Sequence, residues 1–121
     1  MPRNEENALP LKARFRTFAV ARKKLPREAA DRATAPARIE ALAGHVQADV
    51  RAAAASNPGL PKAATTALLT DTEKVRIGLA SNPSLSLASA KVLAADPAEL
   101  VRNALASATN HLSVLERLVH D

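Results

Sequence analysis

The string VRAAAASNPGLPKAATTALLTD at residues 50–71 returns as VRIGLASNPSLSLASAKVLAAD at residues 75–96. A chain that repeats its own spacing is bound to fold as a row of similar units, each docking on the next. The columns agree well beyond the quoted strings. Val50, Val75 and Val101 align, followed by Arg51, Arg76 and Arg102, then Ala55, Ala80 and Ala106, then Ser56, Ser81 and Ser107. Asn57-Pro58 returns as Asn82-Pro83 and Leu60 as Leu85, while Leu68, Leu93 and Leu118 align, as do Asp71, Asp96 and Asp121. Upstream, LAGHVQADVR at 42–51 matches LAADPAELVR at 93–102, which carries the leucine column back to Leu42.

Each unit holds two helices by local rules. Asp96-Pro97-Ala98-Glu99 has the form of a helix start, with aspartate as N-cap, proline at the first helical position and glutamate closing a capping box. Asp71-Thr72-Glu73 is expected to begin the preceding helix in the same way. Val75 and Leu79, and one unit later Val101 and Leu105, are four apart and fall on one face. The Asn-Pro step stops the helix, because the residue before proline is pushed out of the helical region. Pro61 or Ser86 then restarts a short second helix, α or partly 3₁₀, ending near Leu68 or Leu93.

Composition agrees with helices. Aromatics make up 2% of the 121 residues, Trp and Tyr are absent and there are three Gly. Small aliphatic side chains suit close helix approach and supply little to a β-sandwich. The expected fold class is all-α: a right-handed α-α superhelix, a short armadillo- or HEAT-like solenoid of ~25-residue units with N-terminal capping helices. The expected division is one domain over 1–121, with a basic helical cap at 1–36, a half unit at 37–49, full units at 50–74 and 75–100, and a degenerate unit at 101–121. The pattern V-R-x-x-x-A-S-N-P-x-L followed by x-L-[LA]-x-D resembles the leucine-rich repeat variant family over residues 42–121. That resemblance implies a superhelix of alternating α- and 3₁₀-helices, and a shape more than an activity. The third copy departs from it, with Ala108-Thr109 in place of Asn-Pro.

Charge is segregated. Residues 1–38 hold ten Lys or Arg against four Asp or Glu, and residues 39–121 hold seven against eight. Prolines divide the N-terminal third into helical candidates at 11–25, 27–33 and 36–43. In the first, Leu11, Phe15, Phe18 and Leu25 form the docking stripe, and Lys12, Arg16 and Lys23 share another. Arg27 with Asp31 and Glu28 with Arg32 have the i,i+4 spacing of helix-surface pairs.

Three candidate sites follow. Lys12, Arg16, Lys23, Lys24 and Arg27 could contact a phosphate backbone, and the plain alternative is a solvated helix face. Arg51, Arg76 and Arg102 could line a groove for an acidic partner; pairing with the turn aspartates Asp71 and Asp96 is favoured, because the two columns recur together. Leu112, Leu115, Leu118 and Val119 either fold in to cap the row or offer an apolar face to another chain, including a second copy as a homodimer. His45 stands where other units have aspartate and is expected to substitute for it as a cap. His111 and His120 lack a third ligand nearby.

Absence of cysteine removes disulfides, thiolate metal sites and cysteine nucleophiles. No glycine-rich phosphate loop or G-x-S-x-G elbow occurs. No cofactor and no enzymatic activity are expected. The N-terminus has no signal-peptide apolar run, and no stretch has the length of a membrane span, so a cytoplasmic protein is expected. A protein partner bound through the solenoid surface or its apolar end is the leading expectation, with phosphate-backbone contact to nucleic acid through the basic N-terminal helices as the alternative.

Overall fold

A computed structural model describes residues 24–109, and the described residues contain helices and no strand. Seven helices follow one another: α1 over residues 24–30, α2 over Pro36–Ala43, α3 over Ala48–Ala55, α4 over Lys62–Leu68, α5 over Glu73–Ala80, α6 over Leu87–Ala94 and α7 over Glu99–Ala108. Their ends follow from short-range chemistry. Pro36 opens α2, where a missing N–H costs nothing. The Thr72 hydroxyl accepts from Val75 N–H at the start of α5, and the Ser86 hydroxyl accepts from Ser89 N–H at the start of α6. Helices α3 and α5 both stop two residues before an Asn-Pro step, at Ala55 and Ala80. Helix α7 has Ala108-Thr109 there and continues through Ser107 to Ala108. Without the proline, nothing disfavours helical geometry at the preceding residue.

Alternate helices stack. Helix α3 packs on α5 and α5 on α7, while α2 and α6 lie against α3 and α7 respectively. The stripe expected from the spacing is the seam: Val50 and Ala54, Val75 and Leu79, and Val101 and Leu105 are all buried. Ile39 and Leu42 from α2, Leu68 from α4, and Ala90 and Leu93 from α6 close the other side. Each buried Leu, Ile or Val contributes about 1.5–3 kcal/mol relative to exposure. Among the described residues this core is aliphatic and rests on many such modest terms and on close backbone approach, while Leu11, Phe15 and Phe18 of the expected docking stripe lie outside the described residues.

Gly78 marks a close approach of two helices. A Cβ built on Gly78 of α5 would stand 2.4 Å from the Ala52 carbonyl oxygen of α3. The helices therefore touch backbone to backbone at this point. Gly78→Ala gains about 1 kcal/mol of helix propensity but must push two packed helices apart, so a net loss of about 1–2 kcal/mol is expected by urea unfolding.

Three local expectations are corrected. Helix α1 runs through Leu25-Pro26-Arg27 without the expected break. It ends at residue 30, so Asp31 and Arg32 lie off the helix and the i,i+4 pairs do not form. Glu28 instead binds Arg38, and Asp31 accepts from Ala33 N–H. Asp71 and Asp96 are not the N-caps; Thr72 and Ala98 hold those positions. The aspartate carboxylates are shared between a local backbone N–H and an arginine 20 residues earlier.

Candidate functional site

The arginine column is engaged within the chain. Arg51 donates Nε and Nη2 to the two carboxylate oxygens of Asp71 at 2.9 and 3.1 Å, and Nη1 to the carbonyls of His45 and Val46. Twenty-five residues on, Arg76 repeats this with Asp96 at 2.7 and 3.2 Å, and with the Asp71 carbonyl at 2.7 Å. Arg102 donates to the Asp96 carbonyl at 2.6 Å. Each guanidinium thus holds the turn before its own helix and, for Arg51 and Arg76, the carboxylate of the turn 20 residues later. A planar five-donor fork suits this double task. His45 occupies the aspartate position with its Nδ1 accepting from Gln47 N–H, as Asp96 Oδ1 accepts from Ala98 N–H.

A second row is made by asparagine. The Asn57 amide donates to the carbonyls of Ala29 and Asp31, and its Oδ1 accepts from Gly59 N–H. Asn82 donates to the carbonyls of Ala55 and Asn57, and its Oδ1 accepts from Ser84 N–H. Both side chains are buried. Only a group with two N–H bonds and an acceptor can serve both sides, and asparagine is the smallest that does. Asp31 stands at the head of the row, with its Oδ1 accepting from Ala33 N–H and its carbonyl accepting from Asn57. Among the described residues, no buried side-chain nitrogen or oxygen lacks a partner.

These contacts shift acidities in one direction. The Arg51 hydrogen bond holds the Asp71 carboxyl below its ordinary range, against burial and with help from Thr72. For Asp96, burial pushes upward, but the hydrogen bonds from Arg76 and from Ala98 N–H, with the charges of Arg76 and Arg102, outweigh it, and the net shift is downward. A carboxylate whose folded pKa lies below its unfolded value stabilises the fold at neutral pH and loses that contribution as pH falls through the folded pKa. Thermal stability should therefore decline below about pH 5, and less steeply in Asp96→Asn than in the native chain.

An open recess lies between α4 and α6, with a volume of about 260 Å³. It is lined by Leu60 and Leu85, by the hydroxyl residues Thr65, Thr66, Ser84 and Ser89, and by Lys62. Sequence reasoning missed it, because neither copy of the repeat signals a gap on its own.

Of the sequence-derived candidates, Lys24 and Arg27 are exposed on α1, while Lys12, Arg16 and Lys23 lie outside the described residues. Leu112, Leu115, Leu118 and Val119 also lie outside them, as do His111 and His120. Among the described residues no three His, Cys, Asp or Glu side chains converge as metal ligands, and no helix is long and apolar enough to cross a membrane. Compared with protein-family models, curated proteins and solved structures, the chain shows no match.

Proposed function

We propose that this chain is a helical-repeat scaffold, a short right-handed superhelix of the leucine-rich repeat variant kind, whose work is to hold a protein partner. The observation that supports it is the use made of the recurring polar residues. Arg51, Arg76, Asn57 and Asn82 are turned inward to tie one unit to the next. The positions that differ between units, on the outer sides of α4, α6 and α7, are left for recognition, as in repeat proteins generally. In this reading residues 24–43 belong to a further unit, because Asp31 takes the Asn57 position, and the array reaches back beyond residue 37.

The test places a photoreactive residue at exposed Ala67, Ala88 or Asn103 of the full chain in extract of the source cells. A discrete protein adduct at one or more positions, competed away by unlabelled chain, is expected. No competed adduct at any of the three would overturn the reading.

Nucleic-acid contact is favoured by a separate observation: Lys24, Arg27 and Arg32 are exposed and, among the described residues, meet no carboxylate. That reading predicts duplex DNA binding by fluorescence anisotropy that weakens steeply with salt and is lost when Lys24 and Arg27 become glutamate. Salt-insensitive or absent binding counts against it.

A further inference from the structure

The recess between α4 and α6 has a filled counterpart one unit earlier. Aligning Leu42 with Leu68 places Ile39 of α2 on Thr65 of α4, and the matching alignment of Asn57 with Asn82 places Gly59 on Ser84. At the earlier seam Ile39 is fully buried, and its Cδ1 lies 3.0 Å from where a Gly59 Cβ would stand. An isoleucine therefore fills the space between consecutive second helices, and glycine makes room for it. At the later seam both residues change together. Threonine replaces isoleucine, serine replaces glycine, and the space stands open and lined by hydroxyls.

Its lining has a definite chemical preference. Leu60 and Leu85 give the lining an apolar part that suits a short methylene stem. Lys62 is the one charged residue in the lining, it is exposed, and no carboxylate among the described residues meets it. Thr66 and Ser84 present hydroxyls that can donate. Apolar carbons, hydroxyl donors and one positive charge in a single lining match an acidic side chain better than an aliphatic or basic one.

We propose that this recess receives an acidic side chain, of glutamate length, from an extended segment of the protein partner. The proposal rests on the scaffold reading above and names the chemistry that one seam would select. The adjacent seam also supplies its own control: Thr65→Ile together with Ser84→Gly restores the pair that fills the space in the preceding unit.

The experiment selects binders to the full chain from a displayed library of linear twelve-residue peptides, then measures them against the double variant Thr65→Ile/Ser84→Gly and against Lys62→Glu. Circular dichroism and melting temperature accompany each variant, and neither is expected to melt earlier. The expected result is a peptide set sharing one acidic position, with affinity reduced at least tenfold by either variant. Exchanging that acid for lysine in the peptide should restore binding to Lys62→Glu. Peptides that bind both variants as well as the native chain, a set with no shared acid, or no enrichment at all would each overturn the recess as the site. The scaffold reading would then stand or fall separately on the cross-linking result.

Discussion

Asn82→Ala is expected to lower the free energy of unfolding by about 2–4 kcal/mol in urea titration, because one truncation leaves several buried backbone groups without partners. The lost amide served the carbonyls of Ala55 and Asn57, and the lost oxygen served Ser84 N–H. A domain of this size has about 5–15 kcal/mol to lose, so the effect is a large share of the total. Asn82→Asp should be worse at neutral pH, since it turns a carboxylate oxygen toward two carbonyl oxygens. Recovery of Asn82→Asp toward the alanine variant on acidification would identify that repulsion as the cause. A loss under 0.5 kcal/mol on urea unfolding of Asn82→Ala, roughly the scale of an ordinary surface substitution, would mean that solvent replaces the ladder without penalty.

The second large effect is expected at Arg76. Its pair with Asp96 leaves the aspartate side chain 7% exposed and the arginine 19% exposed. Removing the guanidinium in Arg76→Ala strands a mostly buried carboxylate and frees the Asp71 carbonyl, with an expected loss of about 2–4 kcal/mol. Arg76→Lys should recover little, because an ammonium cannot reach both carboxylate oxygens and the carbonyl in one plane. Lys74→Ala is the matched control. Its pair with Asp49 is 60% and 65% exposed, and an open pair of that kind is worth at most about 1 kcal/mol. Equal losses at Arg76 and Lys74 would contradict the distinction drawn here between framework and surface charge.

The apolar half of this arrangement was legible in the sequence because burial follows spacing. Val75 with Leu79 and Val101 with Leu105 lie four apart, and all four are buried. Polar residues carry no such period, and their roles were read less fully. The pairing of the arginine and aspartate columns could be anticipated from their joint recurrence. The caps could not, since Asp96 beside Pro97 satisfies every local rule for an N-cap, yet the helix starts at Glu99 and the carboxylate is shared between Ala98 N–H and the distant Arg76. Asn57 and Asn82 were read as helix stops. Any residue before proline would stop a helix, so the recurrence of asparagine itself was the overlooked signal.

The recess was hidden for a related reason. A cavity is a difference between two facing positions, here Thr65 and Ser84, which lie in different units. Each is unremarkable alone as a hydroxyl on a short helix or turn. Only the alignment with Ile39 and Gly59, once the earlier seam is seen packed, gives the pair a meaning. Features shared by the units tie one to the next, and the proposed contact lies where the shared pattern is departed from.

The central claim is that recurring polar residues form an internal ladder joining one unit to the next, and side-chain amide hydrogen exchange tests it most directly. The Asn57 and Asn82 amide protons should exchange far more slowly than those of exposed Asn103 on α7 in the same NMR spectrum. Exchange of Asn57 and Asn82 at the Asn103 rate would contradict the ladder and leave the units joined by apolar packing alone.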